Sequence, residues 1–183
     1  LEGLERDGPA YLDPVRGMFA FAQWNRRART LLLARDRFGE KPLYYGETPD
    51  GFLLFASEIG ALQAGRLIDL DHAPDALADY FLYGYVPEPK SVYRQVKRLA
   101  PASVMTAGAG RAATITRYWR PVFEADRSID FKTAAGELLD LLDDAVDAQR
   151  VADVPLGAFL SGGVDSSAIV SAMAIKGGAV RTC

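Results

Sequence analysis

Seven consecutive residues, Ser161-Gly162-Gly163-Val164-Asp165-Ser166-Ser167, carry the densest chemistry in this chain. The two glycines have no side chains, so backbone amides there can approach a ligand closely. The serine hydroxyls add further donors. The run stands between an apolar segment, "VPLGAFL", and a helical pattern, "SSAIVSAMAIKGG". A helix start presents N–H groups with no intrahelical acceptor, and its dipole favours negative charge. Strand, tight polar loop and helix together therefore suit a phosphate. No lysine lies in the run, which separates it from the G-x-x-x-x-G-K-S/T loop that holds a γ-phosphate. An aspartate inside a phosphate loop repels the ligand unless a cation lies between them. Asp165 thus implies Mg²⁺, held by one carboxylate plus phosphate oxygens. The competing reading is a Gly-Gly turn leading into a serine-capped helix; the complete run behind an apolar strand favours the anion site.

Positioning that loop requires a strand at about 155–160 and a helix beginning near 166. Before them, "FKTAAGELLDLLDDAVDAQRV" (131–151) reads as a long amphipathic helix with Leu138, Leu139, Leu142 and Val146 on its core face. Asp140, Asp143, Asp144 and Asp147 lie mostly opposite and read as a solvated face rather than a metal site. Helix, strand, loop, helix and the start of a strand form the opening of a parallel α/β sheet.

The first 120 or so residues follow a different pattern. "GMFAFAQW" (17–24) alternates in period two, with Phe19 and Phe21 on one side and Met18, Ala20, Ala22 and Trp24 on the other. "TLLLAR" (30–35) returns as its hairpin partner, and "LYY" and "FLLFA" add two more strands around "ETPDG". Residues 15–65 are thus expected to form one antiparallel meander. It ends in a short helix, "SEIGALQAG", with Ser57 as cap and Gly65 as stop. A second helix, "PDALADYFLYGY" (74–85), has Pro74 in its first turn and Leu77, Tyr80, Phe81 and Gly84 on one side. A Pro-rich stretch and a hairpin around "GAGRA" follow, then a linker, "RPVFEADRSID".

Composition excludes several functions. Of the 183 residues, 49% are apolar and 25% charged, an ordinary globular balance. With 21 basic and 24 acidic residues the net charge is −3, and no basic stripe or polybasic patch suggests nucleic acid or a membrane surface. No apolar run approaches the roughly 20 residues of a membrane span, and the N-terminus lacks the pattern of a signal peptide. The one cysteine, Cys183, permits no internal disulfide and fits a reducing, cytoplasmic setting. The one histidine, His72, stands beside Asp69 and Asp71 without the ligand set a zinc site needs, and reads as a solvated loop residue. The chain starts without methionine and stops inside an apolar run, so a piece of a longer protein is expected.

At "LSGGVDSS" the sequence resembles the PP-loop of the ATP pyrophosphatases, which cleave ATP between the α and β phosphates. "ADVPLGAFLSGGVDSS" is similar to the corresponding stretch of the glutamine-dependent asparagine synthetase family. "GMFAFAQW", "ARDRFGEKPLYY", "FASEIGAL" and "YFLYGYVPEPKSVYRQVKRLAPA…RYW" resemble the second half of that family's glutaminase domain. The resemblance implies a fold of class α/β and α+β. Residues 1–120 would be the later part of an Ntn-type (αββα) class II glutamine amidotransferase domain. Residues 121–183 would open a parallel-sheet PP-loop domain, like the adenine nucleotide alpha hydrolases.

The implied activity is ATP-dependent amide formation. Ammonia from glutamine attacks an acyl-adenylate, giving asparagine from aspartate and releasing AMP and pyrophosphate. The substrates are small molecules and the cofactors are ATP and Mg²⁺; neither nucleic acid nor membrane is involved, and a homodimer is left open. The implied ATP and pyrophosphate site comprises Phe159, Leu160, Ser161, Gly162, Gly163, Val164, Asp165, Ser166 and Ser167. Ser161, Gly162, Gly163, Ser166 and Ser167 would donate hydrogen bonds, Asp165 would hold the metal, and Phe159 and Leu160 would flank the adenine. The glutaminase nucleophile would lie before residue 1, so no catalytic residue is expected in this chain, and Cys183 does not fill that role. The family's Pro-Gly-His reads Pro101-Ala102-Ser103 here, a turn variation. Three alternatives stay open: another PP-loop enzyme, a related amidotransferase or β-lactam synthetase acting on a different carboxylate, and a non-catalytic nucleotide-binding module.

Overall fold

A computed structural model describes residues 2–108, 111–125 and 128–183. The tip of the expected "GAGRA" turn (109–110) and part of the expected linker (126–127) lie outside the described residues. The fold is mixed α and β, and the chain divides into two compact units, Leu1–Pro121 and Val122–Cys183.

The first unit opens with helix α1 (Glu2–Asp7) and a 3₁₀ turn (Gly8–Leu12). Strands β1 (Ala20–Asn25) and β2 (Thr30–Arg35) form the expected antiparallel hairpin, with Ala22 opposite Leu33. Then come β3 (Tyr44–Glu47), β4 (Leu53–Ala56), α2 (Ile59–Gly65), α3 (Pro74–Tyr83), β5 (Val96–Arg98), β6 (Ser103–Gly108) and β7 (Arg111–Arg117). The single meander expected over 15–65 does not form. The strands divide into a four-stranded sheet of order β1-β2-β6-β7 and a three-stranded sheet of order β4-β3-β5.

Period-two patterning explains why two sheets are stable. Leu33 faces Met105 across the β2–β6 ladder, and both are buried with Leu43 and Leu99 in a core that also receives Tyr45 of β3 and Leu53 of β4. The neighbouring pair, Ala34 and Val104, points to the opposite face and packs with Leu12, Phe19 and Phe21. Each strand of the central ladder thus supplies alternate residues to two cores.

The break between the sheets follows from two charged residues, Arg35 and Asp36, which are only 3% and 1% exposed. The Asp36 carboxylate accepts backbone N–H bonds from Phe38 (3.1 Å), Glu40 (2.9 Å), Lys41 (3.0 Å) and Phe19 (3.3 Å). These bonds curl the chain into a tight turn instead of a hairpin back along β2. The Arg35 guanidinium donates to the carbonyls of Gly39, Lys41 and Leu99 and to the Glu88 carboxylate. Glu88 also meets Arg98 of β5 at 3.5 Å, which joins the end of β2 to the second sheet. Buried charges persist only where they are paired and hydrogen-bonded in this way.

Two helix readings are corrected. For α2 the N-cap is Glu58 rather than Ser57, and the left-handed residue that ends it is Arg66 (φ 51°) rather than Gly65. Helix α3 has Pro74 in its first turn as expected and ends at Gly84 (φ 78°). Its buried positions, however, are Ala76 and the preceding Ala73; Tyr80 and Phe81 are exposed. Small residues at the start of the helix pack closely, and Lys90 holds the same end through Asp75 (3.0 Å) and Asp79 (2.7 Å).

The second unit contains α4 (Phe131–Gln149), β8 (Gly157–Ala158), α5 (Val164–Gly177) and β9 (Arg181–Thr182). Asp130 caps α4 by accepting from the amides of Lys132 and Thr133 and from the Thr133 hydroxyl. Of the expected core face of α4, Val146 is buried, whereas Leu138 and Leu139 are exposed. Strands β8 and β9 pair in parallel across α5, the arrangement expected from the helix-strand-loop-helix order. The strand is shorter than the expected 155–160, and α5 starts at Val164 rather than near 166. No helix among the described residues is long and apolar enough to cross a membrane.

Candidate nucleotide-binding loop

The loop from Phe159 to Gly163 connects β8 to α5. Its entry is fixed by the parallel ladder: Cys183 N–H donates to the Ala158 carbonyl at 3.1 Å, and Leu160 N–H donates to the Cys183 carbonyl at 2.9 Å. Gly162 then adopts φ 81°, a left-handed conformation that is steric strain for a residue with a Cβ. Gly163 is the N-cap of α5, with extended backbone (φ −76°, ψ 162°). The first helical hydrogen bond runs from Ser167 N–H to the Gly163 carbonyl at 3.1 Å. The amides of Val164, Asp165 and Ser166 precede that bond and so have no helical acceptor.

Two of the serines are engaged within the loop. The Ser161 and Ser166 hydroxyl oxygens lie 3.0 Å apart, Gly163 N–H donates to Ser161 Oγ at 3.4 Å, and Ser166 Oγ donates to the Gly163 carbonyl at 3.2 Å. A hydroxyl pair of this kind holds the turn while keeping polar groups at the mouth of the helix. Ser167 is half-buried in the first turn. The Asp165 carboxylate is exposed in that turn and takes no hydrogen bond among the described residues. Phe159 (86% exposed) and Val164 (85% exposed) place apolar groups on either side of the polar run, and Leu160 is partly exposed.

All nine residues singled out from the sequence therefore fall on one strand end, one turn and one helix start. The sequence reading missed the internal pairing of Ser161 with Ser166. Their five-residue separation was visible, but only the left-handed turn at Gly162 brings them together. The other acidic candidates are separate. Asp140, Asp143 and Asp144 lie on α4, and no group of three or more His, Cys, Asp or Glu among the described residues is placed to hold a metal. His72 is exposed, its ring 5.2 Å from that of Tyr93.

In the first unit, the "RDRFGEK" stretch is the Arg35–Asp36 hydrogen-bonding centre. Burial pushes the Asp36 carboxyl up, but the four backbone N–H donors outweigh it and hold it below the ordinary carboxylate value. Burial raises the phenol of Tyr118, whose hydroxyl donates to the Arg35 carbonyl at 2.9 Å.

Comparison with known proteins places these two units. Residues 1–119 match the family model for the glutamine amidotransferase domain. The chain belongs to that family. Residues 137–183, which include the loop, match the asparagine synthase model. This amidotransferase-family chain is 39% identical over 157 residues to asparagine synthetase (glutamine-hydrolysing) 1 of Bacillus subtilis, covering 86% of the chain and 24% of that relative. It is 36% identical over 162 residues to the asparagine synthetase 3 of the same organism, covering 87% of the chain and 26% of the relative. With asparagine synthetase B of Escherichia coli it shares 34% identity over 177 residues, 97% of the chain and 26% of the relative. The chain thus spans about a quarter of the length of these curated relatives.

Proposed function

We propose that the protein carrying this amidotransferase-family chain makes asparagine from aspartate, using ammonia released from glutamine and energy from ATP. The observation that carries the reading is the succession, in one chain, of an amidotransferase match over 1–119 and an asparagine synthase match over 137–183 that contains the Ser161–Ser167 loop. In this reading residues 1–120 are the later part of an Ntn-type glutaminase domain, and 121–183 open a PP-loop domain. The split into two sheets with helical segments and the parallel β8–α5–β9 unit support it.

The loop's donor set fits a pyrophosphate. The amides of Val164, Asp165 and Ser166 and the hydroxyls of Ser161, Ser166 and Ser167 would bind the β and γ phosphates, where charge builds as the α–β bond breaks. Preorganised donors stabilise such charge without reorganising. Phe159 and Leu160 would flank the adenine. Asp165 would hold Mg²⁺, which supplies charge neutralisation at the leaving group. The exposed, unpartnered carboxylate suits that role, since Mg²⁺ commonly takes one or two carboxylates with substrate phosphates and water completing its shell. The aspartate carboxylate would take up AMP as an acyl-adenylate, and ammonia would displace AMP to form the amide. A cytoplasmic setting accords with these substrates.

The deciding experiment uses the full-length protein with heavy-oxygen-labelled aspartate, glutamine, ATP and Mg²⁺. Label transferred into AMP, with asparagine formed alongside, is the expected result. ADP and phosphate in place of AMP, or no turnover of aspartate when other carboxylates react, would overturn the reading.

A further inference from the structure

We draw no further inference here: the strongest candidate, the exposed aromatic and apolar surface at the C-terminal end of α3 formed by Tyr80, Phe81, Leu82, Tyr83 and Tyr85, is an unpartnered face, and nothing in the structure shows what covers it.

Discussion

Gly162 lies in the loop and Asp165 in the first turn of α5, and substitution separates the roles proposed for them. Asp165→Asn is nearly isosteric and removes the charge assigned to Mg²⁺ while keeping the helix start. In the full-length protein, the proposed function predicts that pyrophosphate release falls by about 10²-fold or more, the scale of losing one key electrostatic contact. Glutamate formation should be largely spared, because the proposed reading assigns that chemistry to the amidotransferase unit. Measuring both products side by side tests the assignment. Equal loss of both would indicate unfolding, and no loss of either would make Asp165 a helix-start residue alone. Gly162→Ala acts through the backbone. No atom lies within 4 Å of the point a Cβ would occupy, so its effect is the left-handed strain at φ 81° rather than a clash. That strain is worth about 1–2 kcal/mol. If the turn relaxes to relieve it, Ser161 and Ser166 separate, and ATP affinity measured by calorimetry should drop by about tenfold.

Asp36 gives a residue-scale prediction about pH. Its folded carboxyl sits below the unfolded value, so its contribution to stability is fully present above the unfolded carboxylate range, near pH 4. It is lost as pH falls through the depressed folded value. Asp36→Asn keeps one acceptor oxygen but removes the charge that four backbone amides share. We expect the variant to lose about 1.5–3 kcal/mol at neutral pH, the range for hydrogen bonds to a charged group. Part of the acid-side decline in stability should vanish with it. Denaturant titrations from neutral pH down to pH 3 would check both; an unchanged acid slope would remove Asp36 as its source.

At the scale of elements, the β2–β6 ladder is the place where a single side chain serves both sheets. Leu33 is fully buried and packs with residues from both. Leu33→Ala should destabilise the first unit by about 2–5 kcal/mol, read as a shift of its chemical-denaturation midpoint. Much of this element layer was legible in the sequence. The β1–β2 hairpin, the position of Pro74, α4 and the strand-loop-helix around Gly162 all follow from local periodicity and turn chemistry. The division into two sheets was not legible. It depends on Asp36 reaching the Phe19 amide and on Arg35 reaching Glu88 and Leu99, bonds between residues far apart in sequence. The packing face of α3 was misread for a related reason. Tyr80 and Phe81 satisfy a hydrophobic stripe, yet the helix is anchored by Ala73, Ala76 and the Lys90 ion pairs. At the loop, residue types were enough to single out the strand-turn-helix junction, while its internal Ser161–Ser166 geometry was not legible.

Across the whole molecule the two units differ in how much they bury. Among the described residues, the buried apolar side chains of the second unit are Val146 and Ala172, while the rest of the buried apolar set, from Leu12 to Met105, lies in the first. Burial of apolar area is the main favourable term in folding. For the isolated 183-residue chain we therefore expect the amides of α4 and α5 to exchange with solvent well before those of β2 and β6. Hydrogen exchange read by mass spectrometry checks this; uniform protection across both units would contradict it.

The parallel pairing of β8 with β9 has a consequence for synthesis on the ribosome. Leu160, at the mouth of the loop, is held by the carbonyl of Cys183, so the loop's frame is completed by a residue translated 23 positions later. Until that codon has been read and its product has cleared the exit tunnel, α5 can form as a local helix while Leu160 and Ala158 still lack their ladder partners. On the proposed reading, capacity for nucleotide would thus arise only after Cys183 has emerged. Nascent chains arrested before Thr182 emerges should leave a tethered ATP analogue unretained, and chains arrested after Cys183 emerges should begin to hold it.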